Sequence, residues 1–334
     1  MKIIIPMAGR GSRLRPHTLT VPKPLIPVAG KPIVQRLVED LMHSYGGAVE
    51  EIAYIIGDFG KEVEANLIAI AEALGAKGTI YHQDQPLGTA HALLCAKESL
   101  SGNCIVAFAD TLFRASFKID TSLDGIIWVQ EVEDPSAYGV VKLDEAGIIT
   151  DFIEKPYTPV SKLAIVGIYY FRDGEYLRSE LQYLLDNNIR DKGEYQLTNA
   201  LENMKNKGTH FRTGLIEEWL DCGNKDAVVH TNQRVLEFNR EHNLVDPSAS
   251  IEHSTILQPC FIGAGAVIRN SVVGPHVSIG AGTSIHNSVI RNSIIQNKSM
   301  ISDAVLENSM IGNNVELLGR KAEINLGDYS KQTL

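Results

Sequence analysis

Paired cysteines are missing from this chain. Its four, Cys95, Cys104, Cys222 and Cys260, show no CxxC spacing and no accompanying histidines, which argues against a disulfide framework or a zinc centre and leaves reduced thiols as the expectation. The ten histidines contain no HxH or HExxH spacing, so no histidine is expected in catalysis or metal binding. No run approaches the ~18 apolar residues that a membrane span needs, and the stretch Lys2 to Pro6 is too short for a signal-peptide core. A soluble, cytoplasmic protein is expected. A general excess of basic residues is missing too: 40 acids against 31 bases give a net charge of −9, against the broad basic face that nucleic-acid binding requires. At 334 residues with 44% apolar residues, the chain has material for about two domains with real cores.

One absence is local. The first 38 residues contain no Asp or Glu, but carry Lys2, Arg10, Arg13, Arg15, Lys23, Lys31 and Arg36. An apolar strand, Lys2 to Pro6, leads into Met7-Ala8-Gly9-Arg10-Gly11-Ser12-Arg13-Leu14-Arg15-Pro16, and Pro22-Lys23-Pro24 follows. Glycines let the backbone approach a ligand and aim several N–H groups at one anion, while the cations supply charge that backbone dipoles lack. The head therefore reads as a polyphosphate site. It is neither a P-loop, which needs four residues between its glycines and then Gly-Lys-Ser/Thr, nor a dinucleotide turn, which needs a third glycine where Arg13 or Leu14 stands.

Two periodicities divide the chain. Up to about residue 240, short apolar runs alternate with amphipathic helices, the pattern of a mostly parallel sheet covered by helices. Strands are expected at Ile3 to Pro6, Ile52 to Gly57, Gly78 to His82 and Cys104 to Ala109, and longer alternating ones at Ala137 to Leu143, Ile148 to Ile153 and Ala164 to Phe171. Helices are expected after Pro32, stopped by Gly46-Gly47, and over Lys61 to Leu74, Thr89 to Leu100, Gly174 to Asn187, Gln196 to Asn206 and Asn224 to Asn243. From Ile251 onward, apolar residues recur every five or six positions, through Ile256, Ile262, Ile268, Val273, Ile279, Ile285, Ile290, Ile295, Ile301, Leu306 and Ile311. Three such steps close a triangular coil, with Gly or Asn at corners that need positive φ: a hexapeptide β-helix. The expected boundary places one domain at 1–243 and the β-helix at 244–334.

Candidate chemistry lies at the carboxyl ends of the first-domain strands, where open α/β sheets bind ligands. Gly88 in Gln83-Asp84-Gln85-Pro86-Leu87-Gly88-Thr89-Ala90 permits close approach of a flat base, and the Gln83 amide suits a pyrimidine edge; a plain strand-to-helix turn reads equally well. Asp110 is either a helix N-cap or a metal ligand. Asp221 in Trp219-Leu220-Asp221-Cys222-Gly223 is a second carboxylate, and two such acids near a triphosphate would hold Mg²⁺. Lys155, beside Glu154, is in isolation most simply a solvated salt-bridge partner.

Together with Tyr138-Gly139-Val140, Gly167-Ile168-Tyr169 and Glu194-Tyr195-Gln196-Leu197-Thr198, these elements resemble the nucleotidyltransferases that make nucleotide-sugars, of the glucose-1-phosphate thymidylyltransferase type with a long β-helix tail. The resemblance covers nearly the whole chain. It implies a Rossmann-like, GT-A-like mixed-sheet α/β domain followed by a left-handed parallel β-helix, and a reaction joining an NTP (dTTP or UTP favoured) to a sugar 1-phosphate (glucose 1-phosphate favoured) with release of pyrophosphate. By position it assigns Ala8, Gly9, Gly11, Gln83, Gly88 and Thr89 to the nucleotide, and Arg13 and Lys23 to the triphosphate. Tyr138, Gly139, Glu154, Lys155 and Val166 go to the sugar phosphate, and Asp110 and Asp221 to Mg²⁺. Arg13, Lys23, Lys155 and Asp110 would carry catalysis, and a homo-oligomer built through the β-helix or sheet surfaces is implied. Departures are Ala109 in place of a glycine, Cys222 in place of a small hydroxyl residue, and Pro6-Met7 before the head. Two rivals are an acyltransferase of the hexapeptide type using His253, His276 or His286, and a non-catalytic regulatory subunit that binds nucleotide-sugars.

Overall fold

The computed structural model describes residues 1–319 except Arg10, Ser116, Phe117, Tyr157 and Pro159; one cation of the head, Arg10, thus lies outside the described residues. Contacts divide the chain into two compact units, Met1–Ile26 with Lys31–Asn224, and Pro27–Gly30 with Lys225 onward.

The first unit is a nine-stranded mixed sheet. Its parallel heart is β1 (Lys2–Pro6), then α1 (Ile33–Tyr45), β2 (Glu51–Ile56), α2 (Lys61–Ala73), β3 (Lys77–His82), α3 (Thr89–Cys95) and β4 (Cys104–Ala107). The strand Ile52 to Ile56 is buried at every residue, as expected of parallel strands covered on both faces. Helix α1 turns Ile33, Val34, Leu37, Val38 and Leu41 inward, a 3.6-residue stripe. Gly46 ends it at φ 67°, donating its N–H to the Met42 carbonyl at 2.9 Å, a left-handed cap that a side chain would strain.

After β4 the chain leaves the parallel pattern through β5 (Thr111–Arg114), β6 (Gly125–Glu131), β7 (Gly139–Leu143), β8 (Ile149–Glu154) and β9 (Leu163–Phe171). Then follow α4 (Gly174–Asp186), α5 (Leu197–Asn206), β10 (Phe211–Leu215) and β11 (Glu218–Asp221). The sheet order is β8-β7-β9-β4-β1-β2-β3, with β6 joining β9 to β10. Phe152 and Phe171 pack on Phe211 edge-to-face at 5.5 and 6.2 Å, locking the antiparallel part to the core. Strands β5, β6, β10 and β11 were not among the expected elements. Helix α3 ends at Cys95 rather than Leu100, because Ala96 leaves helical geometry and caps it.

In the second unit, α6 (Lys225–Phe238) precedes short parallel strands in three ladders. One ladder stacks Ile251 on Ile268, Ile285, Ile301 and Leu317; its inner members Ile268, Ile285 and Ile301 are fully buried. The expected coil is therefore a parallel β-helix. Corners carry positive φ at Asn270, Asn287, Asn292, Asn308 and Asn314. Asn270 Nδ2 donates to Asn287 Oδ1 at 3.3 Å, and Asn287 Nδ2 to Asp303 Oδ1 at 3.1 Å, so the side chains that tolerate the turn also bond from rung to rung.

Helix α6 is fixed to this coil by Asn232, which is fully buried. Its Oδ1 accepts the Ala29 N–H at 2.9 Å and the Ser278 hydroxyl at 2.6 Å, and its Nδ2 donates to the His276 carbonyl at 3.4 Å. Asn232→Ala removes three polar contacts where water cannot replace them. We expect a loss of about 3 kcal/mol in this unit, read as a lowered midpoint in urea unfolding followed by circular dichroism; an unchanged midpoint would contradict it.

Candidate active site

The loop that leaves β1 is built to be rigid. Gly11 sits at φ 59°, and a Cβ there would stand 2.9 Å from Lys23 Cβ, so only glycine lets the head fold onto the Lys23 segment. The Gly11 carbonyl accepts the Thr18 hydroxyl at 2.7 Å, and Leu14 is buried at 1% exposure. Arg13 is consequently carried on a pinned short turn, Ser12–Leu14.

This loop forms one wall of a cleft of about 400 Å³ in the first unit. Of the residues singled out in the sequence, Ala8, Gly9, Gly11, Arg13, Lys23, Gln83, Gly88, Thr89 and Asp110 all line it. The opposite wall is the turn into α3. Gly88 lies at φ 115°, and a Cβ there would meet the Tyr195 carbonyl oxygen at 2.4 Å. Ala90 N–H donates to that carbonyl at 2.9 Å, Tyr195 N–H donates to the Leu87 carbonyl at 2.8 Å, and Leu197 N–H donates to the Thr89 hydroxyl at 2.8 Å. The Gly88 turn is thereby bolted to the start of α5.

Charge gathers at the cleft floor. Lys23, 8% exposed, places Nζ 3.1 Å from Asp110 Oδ2. Antiparallel pairing of β5 with β11 sets Thr111 opposite Asp221, and Cys222 N–H donates to the Asp110 carbonyl at 3.0 Å. Two carboxylates more than a hundred residues apart in sequence are so brought to one place. Burial, then the field of Asp110, pushes the Asp221 carboxyl above its ordinary range, while Lys23 and Arg13 pull it back. Two carboxylates under mutual repulsion beside a polyphosphate-sized cleft form a hard-oxygen pair that suits a divalent cation. Among the described residues no cluster of three or more His, Cys, Asp or Glu is placed to hold a metal ion.

The remaining candidates gather elsewhere in the same unit and do not line this cleft. Gly139 faces Glu154 across the β7–β8 ladder. The Glu154 carboxylate accepts the Thr198 hydroxyl at 3.2 Å and lies 3.7 Å from Lys155 Nζ. Lys155 holds φ 42°, a left-handed conformation that costs a non-glycine residue about 1–2 kcal/mol. Its N–H donates to the Tyr138 carbonyl at 3.1 Å, and the Tyr138 ring packs on Trp219 at 4.8 Å. Val166, 2% exposed, accepts the Thr111 hydroxyl on its carbonyl at 3.0 Å. Thr111 is the residue after Asp110, so this bond ties Val166 to the Asp110 segment. Thr198 and Glu194, which lines the cleft, received no separate role from the sequence; their signal was the run Glu194 to Thr198 at the start of a helix.

The three histidines of the acyl-transfer alternative fall on different turns of the coil. His276 Nε2 is engaged by Glu237 at 2.5 Å, and His253 and His276 both occupy positive-φ corners.

The family described as Nucleotidyl transferase matches residues 2–237. Glucose-1-phosphate thymidylyltransferase of Streptomyces antibioticus is 32% identical over 99% of each chain. The low-salt glycan biosynthesis nucleotidyltransferase Agl11 of Haloferax volcanii is also 32% identical, over 98% of this chain and 95% of its own. Bifunctional protein GlmU of Methanococcus aeolicus is 27% identical over 94% and 79%. Among solved structures, UDP-glucose pyrophosphorylase complexed with UDP-glucose overlays with a TM-score of 0.57 at 24% identity, covering 71% of this chain and 98% of that one, a likeness of fold. With a pinned basic loop facing paired carboxylates, and a match that spans most of its length, this chain belongs to the nucleotidyl transferase family.

Proposed function

We propose that the protein is a sugar-1-phosphate nucleotidyltransferase, joining an NTP, with dTTP or UTP favoured, to a sugar 1-phosphate, with glucose 1-phosphate favoured. The observation that carries this is the cleft itself: glycine-lined backbone with Arg13 and Lys23 in one wall, the Gly88 turn in the other, and Asp110 in its lining with Asp221 brought close by the β5–β11 ladder. Curated relatives matched over their full length carry the thymidylyltransferase name.

In this reading Ala8, Gly9, Gly11, Gln83, Gly88 and Thr89 hold the nucleoside, and Arg13 and Lys23 hold the triphosphate. Lys155 binds the phosphate of the sugar, while Tyr138, Gly139, Glu154 and Val166 surround its hydroxyls. A phosphate oxygen of the sugar 1-phosphate attacks the α-phosphorus in line; the new P–O bond forms as the bond to the β-phosphate bridging oxygen breaks, and pyrophosphate leaves. No protein nucleophile takes part, so the chain acts by placement and by neutralising charge. Asp110 and Asp221 would hold Mg²⁺, which supplies charge neutralisation to the phosphates. The strained backbone of Lys155 is of the kind kept where a side chain must point one way.

Residues 1–243 would carry this reaction and 244–334 would serve subunit association. Val272, Val289 and Val305 stack in one ladder and remain exposed, an apolar stripe suited to a second copy of the chain; light scattering on the purified protein reads the state. No helix among the described residues is long and apolar enough to cross a membrane. A matrix of NTPs against glucose, mannose, galactose and N-acetylhexosamine 1-phosphates, followed by pyrophosphate release with Mg²⁺ present, tests the reaction. Turnover with a uracil or thymine nucleotide is expected, and no release with any pair would overturn the reading.

A further inference from the structure

Three residues separate Lys23 from Pro27–Gly30, a segment that belongs by its contacts to the second unit although the chain on either side belongs to the first. Within the second unit it is held at two points. Phe261 stands between Cys260 and Ile262, whose side chains fill the coil at 1% and 0% exposure, and by the alternation of a strand it turns outward. Its ring covers Gly30, where a Cβ would stand 2.2 Å from Cε2 and 2.3 Å from Cζ. One residue earlier, the Ala29 N–H donates to Asn232 Oδ1 at 2.9 Å. That oxygen also accepts the hydroxyl of Ser278, the coil residue paired with Phe261. Ala29 and Gly30 both hold positive φ, at 45° and 85°. Alanine resists that conformation and keeps it only where the surroundings impose it, and here Asn232 of α6 and Phe261 of the coil impose it.

At the near end of this stretch stands the turn that carries Lys23. Lys23–Leu25 form one short turn, closed by the Ile26 N–H on the Lys23 carbonyl at 3.1 Å, and Ile26 is fully buried. Gly11 packs on the turn at Lys23 itself, which leaves its exit to be fixed from Pro27–Gly30. A lysine is a point charge on a flexible four-carbon stem, so the placing of its ammonium depends on the backbone that carries it. We propose that the β-helix takes part in substrate binding as a clamp: Phe261 is a positioning residue that, through Gly30 and Ala29, fixes the exit of the Lys23 turn and so holds the ammonium where the triphosphate meets it. The inference rests on the reading of Lys23 as a triphosphate contact, and it gives the coil a task besides subunit association.

A double-mutant cycle on UTP binding to the full chain, measured by titration calorimetry with Mg²⁺ and without sugar phosphate, tests the clamp apart from turnover. Lys23→Ala is expected to weaken UTP about 100-fold, the scale of a charge-assisted contact to phosphate, and Phe261→Ala about tenfold, the scale of a misplaced charge rather than a missing one. In the Lys23→Ala background Phe261→Ala should add less than about twofold, because the group it positions is gone. Phe261→Leu keeps an apolar cover on Gly30 and should lose only about threefold; it takes the place of Phe261→Ala in the cycle if that variant gives no cooperative urea transition. A folded Phe261→Ala, or Phe261→Leu standing in for it, that binds UTP as the parent does makes the contact structural only and overturns the clamp, even where the unfolding midpoint falls. Losses that multiply in the double variant overturn it too. A Lys23→Ala protein that binds as the parent does, or a parent that binds no UTP, overturns the reading of Lys23 and the clamp with it. The expected cycle without pyrophosphate release under any condition would instead remove the reaction assigned above and leave the clamp standing.

Discussion

Asp110→Asn is expected to lower kcat by about a thousandfold, the scale of removing one charged group from a preorganised phosphoryl-transfer site, with little change in the melting temperature. The two halves of this expectation come from one geometry. Asp110 closes the β4 end of the sheet with its carboxylate at the floor of the cleft, 3.1 Å from Lys23 Nζ and brought next to Asp221 by the β5–β11 ladder. Its side chain is 46% exposed, so water can replace it at Lys23, and such a partly exposed pair contributes at most about 1 kcal/mol to folding. Its chemical contribution has no such substitute. An amide neither repels Asp221 nor offers a second anionic oxygen to a divalent cation, and it leaves the Lys23 charge unbalanced before the triphosphate arrives. Pyrophosphate release at saturating substrates and a parallel thermal melt check both halves, with the concentration of Mg²⁺ needed for half-maximal rate expected to rise in the variant. Turnover within tenfold of the parent chain would remove Asp110 from the site.

The pairing of Asp110 with Asp221 also marks the limit of what the sequence discloses. Each carboxylate is visible as an acid after an apolar run, but their meeting depends on β5 and β11, strands of four residues each. Strands that short carry too few alternations for a period to show, and their partner lies far along the chain. Strand β6 was hidden differently: Gly125 to Val129 is buried throughout, and a short apolar run without alternation is as consistent with a helix segment as with a strand. The legible parts had redundancy. The coil after Ile251 repeats its apolar position over several rungs, so the register survives any single exception, and the asparagines at its corners announce the turn through their tolerance of positive φ. The head was legible from charge, because a stretch without acids departs from the mixed signs of a solvated surface. His91 was passed over because isolated histidines follow no ligand spacing. Only the fold sets it beside Gln83, from the first turn of α3.

Arg13→Ala is expected to reduce kcat by roughly two to three orders of magnitude, on the scale of losing one preorganised charge donor, while the KM for the sugar phosphate moves by less than about threefold. The argument turns on where Arg13 stands. Gly11 and the buried Leu14 pin the turn that carries it, so the backbone beneath the side chain is already ordered when a phosphate engages it. Its field reaches Asp221 and Tyr138, which sets the guanidinium of this exposed residue beside the paired carboxylates. Glu154 and Lys155, proposed above to hold the sugar phosphate, belong to a separate cluster, so ground-state binding of the second substrate should survive the loss. Arg13→Lys is the informative companion. It keeps the charge but not the planar fork that grips two phosphate oxygens at once, and its kcat should fall between those of the parent and Arg13→Ala. If Arg13→Lys is fully active, the residue acts as a point charge; if Arg13→Ala retains most of the activity, the triphosphate lies elsewhere in the cleft and Lys23 alone must hold it.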